Sequence, residues 1–271
     1  MNLLDIDIYR RARRRYGPRR FQAYTIAAGK SGTHSVANMF SHCYRAAHEP
    51  EAADIIATTM RRMSGDMDDA AMAAWLENRD RRLGLEMDSS GVNSIIAADL
   101  VRQFPRAHFI ITMRDCFSWA NSWFNQMLNN PSPSPHWQTW REALHGTRES
   151  CTFTPAEAAL EAAGTWSLDR VFQGWVRMYR SGLEAAPSDR TLRIHTHRLR
   201  SDADRLANFL GVPLATIDTD RSHAYRAPKN RNLLHAIDPA YVNELAQEMC
   251  GDIMREFYPD LPCELGTDYR V

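Results

Sequence analysis

Lysine is almost absent from this chain. Of the 33 basic residues among 271 positions, only two, Lys30 and Lys229, are lysine, and the other 31 are arginine. An excess of either charge is missing too. The 33 basic residues meet 33 acidic ones, so the formal net charge is zero, which argues against a general nucleic-acid or membrane binder. Long apolar runs are lacking: Phe109-Ile110-Ile111-Thr112-Met113 is far short of a bilayer crossing. Asp5, Asp7 and then an Arg cluster interrupt the start, where a signal peptide would need an apolar stretch. The five cysteines, Cys43, Cys116, Cys151, Cys250 and Cys263, form no C-x-x-C pair and no even framework, as expected of reduced thiols in a cytoplasm. What is present looks globular. Hydrophobic residues make up 44% and charged residues 24%, values that set aside disordered and fibrous classes.

The neutrality is uneven. Residues 1–20 carry seven Arg (Arg10, Arg11, Arg13, Arg14, Arg15, Arg19, Arg20) against Asp5 and Asp7, a local excess of five positive charges. They read as a basic N-terminal arm, either a solvated amphipathic helix lying on the domain or a contact for a peripheral membrane or acidic surface. Residues 21–271 read as a single domain, with no linker that would split it.

Periodicity along that domain alternates strands and helices. Strand-like runs fall at Gln22–Ala27, Arg45–His48, Gly84–Met87, His108–Met113 and Thr191–His195. Helical patterns fall at Ala70–Arg82, Gly91–Phe104, Phe117–Leu128, Pro155–Arg180, Asp202–Leu210 and Pro239–Met254, and another follows the first strand as far as Tyr44. Asn129–Pro135, with three prolines, is a loop. The alternation predicts an α/β, three-layer, P-loop-like domain with a mainly parallel central sheet.

The most informative segment joins the first strand to its helix: Ala28-Gly29-Lys30-Ser31-Gly32-Thr33-His34-Ser35. Small residues there expose backbone N–H groups toward one point. The helix start adds about half a positive charge and Lys30 a full one, so an anion belongs there. A nucleotide-triphosphate P-loop needs another Gly five residues before Gly29, and Tyr24 stands there instead. A second anchor follows the fourth strand: Arg114 offers a planar fork for phosphate oxygens, with Ser118 and Ser122 a turn and two turns along the next helix.

Lys30-Ser31-Gly32-Thr33 resembles the 5′-phosphosulfate loop of the sulfotransferases that depend on 3′-phosphoadenosine 5′-phosphosulfate (PAPS). Arg114 followed eight residues later by Ser122 resembles their 3′-phosphate site. In this chain Gly29 stands where the family usually has Pro, His34-Ser35 where it has Thr-Trp, and Cys116 where it has the Pro of Arg-Asp-Pro. The run Leu206-Ala207-Asn208-Phe209-Leu210-Gly211-Val212-Pro213 is similar to another family segment. Arg226 and Lys229 lie where the family supplies a basic loop over the 3′-phosphate. The resemblance implies a PAPS-dependent O-sulfotransferase with 3′-phosphoadenosine 5′-phosphate (PAP) as product and no metal. It also implies donor contacts from Lys30 through Ser35, Arg114, Ser118, Ser122, Arg226 and Lys229, and an acceptor that is a carbohydrate, glycolipid, lipid or small metabolite.

Sulfuryl transfer by in-line displacement needs a base for the acceptor hydroxyl and a cation for the leaving oxygen. Lys30 suits the second role. His48 and Glu49, after the second strand, are the candidates for the first, and strand alternation allows only one of them to face the substrate. Bacterial carbohydrate sulfotransferases look similar here, with a Glu-Pro and the Glu as base, which favours Glu49 over His48. Asp88-Ser89-Ser90 is expected to face the same opening. The seven tryptophans read mainly as core. A small-molecule kinase of the P-loop type and a non-catalytic nucleotide-binding protein are the competing readings.

Overall fold

A computed structural model describes residues 17–129, 134–223 and 230–270. Arg226, Lys229 and most of the basic N-terminal arm therefore lie outside the described residues. At the arm's end, Arg19 pairs with Asp80 and Arg20 with Glu86, so these two cations are tied to the domain body.

Five strands form one parallel sheet: β1 (Ala23–Thr25), β2 (Ala46–His48), β3 (Met87–Ser89), β4 (His108–Met113) and β5 (Thr191–His195), in the order β2-β3-β1-β4-β5. The helices in chain order are α1 (Thr33–Phe40), α2 (Ala52–Ser64), α3 (Asp69–Leu83), α4 (Ala97–Gln103), α5 (Cys116–Asn129), α6 (Pro135–His145), α7 (Ala158–Ala162), α8 (Leu168–Ala185), α9 (Ala203–Leu210) and α10 (Pro239–Phe257). The predicted α/β architecture with a parallel central sheet is the observed one.

Side-chain alternation on the strands builds the two cores. In β4, Phe109 and Ile111 point to one layer, where they meet helices α8 and α10, while Ile110 points to the other, against α1 and α9. Both faces of β1 are covered, so all three of its residues are buried. The chain leaves β1 for β2 on one side and later crosses back to β4 on the other. That reversal opens a crevice at the carboxyl ends of the strands, beside β1.

Several boundaries differ from the sequence pattern. The third strand is Met87–Ser89, not Gly84–Met87, because Gly84 caps α3 with a left-handed backbone at φ 56°. The expected helix Gly91–Phe104 breaks into a 3-10 turn, Val92–Ser94, and α4. The expected helix Pro155–Arg180 likewise divides, at Gly164 with φ 66°, into α7 and α8. Helices α2 and α6 are additions to the expected elements, and α6 lines the cavity.

Candidate functional site

The turn from β1 into α1 is held by its carbonyls. Trp119 Nε1 donates to the Gly29 oxygen at 2.6 Å, Arg114 Nη1 to the Lys30 oxygen at 2.7 Å, and Thr196 Oγ1 to the Ser31 oxygen at 2.6 Å. A turn whose oxygens are occupied by the protein body presents its N–H side to the cavity. Gly32, the residue before α1, has φ 98°, which favours glycine, and no side chain caps the helix. No acidic residue stands in the first turn, so the positive helix end is kept for a ligand.

Ser31 serves a different purpose from its neighbours. Its side chain is fully buried and bonds the Ala28 oxygen and Thr112 Oγ1, which braces the turn from below. Lys30, Gly32, Thr33, His34 and Ser35 line the cavity. A further brace is steric. A methyl group at Gly91 would stand 2.8 Å from the Gly29 nitrogen and 2.9 Å from its Cα. Backbone cannot yield as a side-chain tip does, so Gly91→Ala is expected to displace the turn and weaken PAP binding by about tenfold or more. Titration calorimetry checks this, and an unchanged affinity would refute the brace.

Arg114 leaves β4 at the neighbouring strand end. Its Nε donates to Ser118 Oγ at 3.0 Å, its Nη1 holds the loop, and Nη2 has no hydrogen-bond partner among the described residues. Asp115, rather than Ser118, caps α5, accepting from the Ser118 N–H at 2.7 Å. Arg114, Ser118 and Ser122 all line the cavity, as the spacing predicts. Burial pulls the Arg114 pKa down, with Asp115 opposing. Two buried polar atoms on the cavity wall, His197 Nε2 and Ser222 Oγ, lack a hydrogen-bond partner among the described residues. Unpaired polar atoms on a cavity wall suit a polar ligand. The segment leaving residues 224–229 is clamped onto α5: Asn121 and Asn125 both donate to Asn230 Oδ1, and Arg231 Nε donates to Asn129 Oδ1. This asparagine ladder at i, i+4, i+8 is a signal the sequence reading overlooked.

The third wall corrects an expectation. Both His48 and Glu49 line the cavity. Strand alternation ends at His48, because Glu49 takes a left-handed backbone at φ 49° and its N–H bonds the Ser89 oxygen at 3.0 Å. Lys30 is left-handed as well, at φ 66°. Such conformations are costly for residues with a Cβ and gather at functional sites. Burial pushes the Glu49 carboxyl up to about 7, with Lys30 opposing. Burial also pulls Lys30 down to about 8, aided by Arg114 and opposed by Glu49. His48 is pulled down to about 4 by burial, by His34 stacked on it at 4.7 Å, and by Lys30. Its Nε2 lies 3.2 Å from Thr33 Oγ1. Glu49 does not cap α2, where the cap position belongs to Glu51.

Asp88, Ser89 and Ser90 do not face the opening. Asp88 is paired with Arg79, Ser89 Oγ donates to the Thr33 oxygen at 2.7 Å, and Ser90 Oγ accepts from the Val92 N–H. They support the site from beneath. Trp119 is core, as expected, yet its indole N–H also positions the loop. Beyond the walls formed by the turn after β1, Arg114 and Glu49, the cavity of about 970 Å³ continues under α6 and along the tail Leu265–Arg270.

Among the described residues, no helix is long and apolar enough to cross a membrane. No curated protein matches the chain. A family model described as a sulfotransferase domain matches residues 25–224 of the 271, a span that includes the turn after β1, Glu49, and the Arg114–Ser122 segment. With that match over most of its length, the chain belongs to the sulfotransferase family.

Proposed function

We propose that this transferase moves the sulfuryl group of PAPS to an alcohol oxygen, with Glu49 as general base and Lys30 as the cation at the leaving oxygen. The observation that carries the reading is the convergence of Glu49 and Lys30 on one cavity, each shifted toward neutrality and each opposing the other's shift. PAPS, when bound, supplies an electrophilic sulfur and a phosphate leaving group. The N–H groups of the loop and of the first turn of α1 would hold its 5′ end, with Arg114, Ser118 and Ser122 at its 3′-phosphate. Arg226 and Lys229 are proposed to add charge there.

Glu49 accepts the hydroxyl proton as the oxygen forms its bond to sulfur. A carboxylate with a pKa near 7 balances availability and basicity at neutral pH, whereas His48 near 4 is a far weaker base. His48 is better placed to orient Thr33. The Lys30 ammonium, held by Gln126 Oε1 at 3.2 Å, takes up charge on the bridging oxygen. A kinase reading would want a carboxylate free for Mg²⁺ at the end of β3, and Asp88 is committed to Arg79 and Asn93.

The test is calorimetric. PAP is expected to bind in the micromolar range or tighter without divalent metal, and ATP–Mg²⁺ at least about a hundredfold more weakly. Binding of ATP–Mg²⁺ alone would overturn the reading. Transfer from labelled PAPS to an alcohol completes it.

A further inference from the structure

The part of the cavity under α6 is built unlike the phosphate walls. On α6, Trp137, Trp140, Leu144 and His145 follow one another at helical spacing, and all line the cavity. Trp123 and Met178 complete the lobe from α5 and α8. Helix α6 packs across α2, which begins just after Glu49, so the lobe is continuous with the base. Its lining is aromatic and aliphatic, and Arg141, the charged residue of the same stripe, offers donors only.

Within that stripe of side chains, the hydrogen-bond acceptor is His145. His145 is 1% exposed, and its Nδ1 lies 3.0 Å from the Arg170 carbonyl. A carbonyl cannot donate, so Nδ1 carries the proton and Nε2 presents a lone pair. Nε2 has no hydrogen-bond partner among the described residues. Burial holds the ring neutral by pulling its pKa to about 4. The ring is seated deliberately: a methyl at Gly174 would stand 2.0 Å from its Cε1, and Trp123 lies 4.7 Å away. An ordinary core position would hold an apolar side chain here.

We infer that the acceptor is an alcohol on an apolar body that fills the tryptophan lobe, and that it carries a second hydrogen-bond donor received by His145 Nε2. This rests on the sulfuryl-transfer reading and narrows its acceptor. A sugar would bring several hydroxyls against Trp123, Trp137, Trp140, Leu144 and Met178, a stripe in which His145 supplies the acceptor, leaving buried donors unpaired, which is costly. An apolar body buries its surface against the aromatic and aliphatic side chains, and a single donor satisfies His145.

Two measurements test this, with tryptophan fluorescence reading binding and PAP calorimetry run in parallel on the same protein. Primary alcohols from propanol to octanol are expected to bind about three- to fourfold more tightly per added methylene, the ratio expected for full burial of a CH₂. A flat ladder, or methyl glucoside binding as tightly as octanol, overturns the inference. The second measurement compares benzyl alcohol with 4-hydroxybenzyl alcohol, which differ by one donor. His145→Leu is expected to cost the second ligand at least about fivefold more than the first, and this double difference cancels any general loss of packing. Equal losses overturn the role of His145. Should the variant fail to fold, the preference of wild-type protein for 4-hydroxybenzyl over 4-methoxybenzyl alcohol decides, and no preference refutes it. If PAP binds and the ladder is flat, the acceptor inference alone fails. If the ladder holds and PAP does not bind, the fault lies with sulfuryl transfer.

Discussion

Glu49→Gln is expected to lower kcat/KM for sulfuryl transfer by about 10²–10⁴-fold, the range for loss of a general base, while leaving PAP affinity within a few-fold. The amide keeps the shape of the side chain but cannot take a proton. Wild-type activity is expected to rise as pH climbs through about 7, where Glu49 ionises, and to fall above about 8, where Lys30 discharges. The acid limb should vanish in the variant. Stability supplies an independent sign. Burial raises the Glu49 pKa from 4.5 to about 7, so between those values the folded state binds a proton that the unfolded state has released. Folding stability contributed by this group is therefore full below 4.5 and is lost as pH rises through about 7. Gln at 49 escapes that loss. The Tm of Glu49→Gln should exceed wild type at pH 8, and the gain should shrink toward pH 4. A variant that loses activity without this pH-dependent gain would mean that Glu49 is not the buried carboxylate described here.

Lys30→Arg, a nominally conservative change, should cost about 10²-fold in kcat/KM, approaching Lys30→Ala. Lysine is rare in this chain, and arginine serves as its usual cation. At position 30 the two differ physically. Arg114 already places a guanidinium against the Lys30 carbonyl at 2.7 Å, and its charge helps depress the Lys30 pKa to about 8. A lysine can lower its pKa in answer to that repulsion, whereas an arginine stays charged. Lys30→Met should then raise the Tm while abolishing transfer, because it removes a buried charge from the ligand-free protein. Steady-state kinetics and thermal unfolding at pH 7 check both variants. Full activity in Lys30→Arg would show that any positive charge suffices.

The two segments proposed to hold phosphate were legible as candidates in the chain because each depends on local rules. A small-residue turn between strand and helix aims its N–H groups whatever surrounds it, and Ser118 and Ser122 share a helix face by spacing alone, one and two turns beyond Arg114 at the strand end. The parallel sheet followed from alternation of strand and helix, and β4 could be bounded because His108–Met113 is apolar and β-branched between turn signals. Boundaries failed where a single residue with positive φ overrode the pattern, as at Gly84 and Gly164.

What only tertiary structure decided are the contacts between segments distant in sequence. Trp119, Arg114 and Thr196 reach the turn after β1 from 90, 84 and 165 residues away, and no local pattern announces a carbonyl's distant partner. The left-handed backbone at Glu49, which turns both His48 and Glu49 into the cavity, is likewise imposed by its bond to Ser89 on the adjacent strand. The pKa shifts belong to this second group. They arise from burial and from the mutual field of Lys30, Glu49 and Arg114, which exist only once three strand ends meet. Sequence determined which charges are present; the fold determined how dry and how close they are.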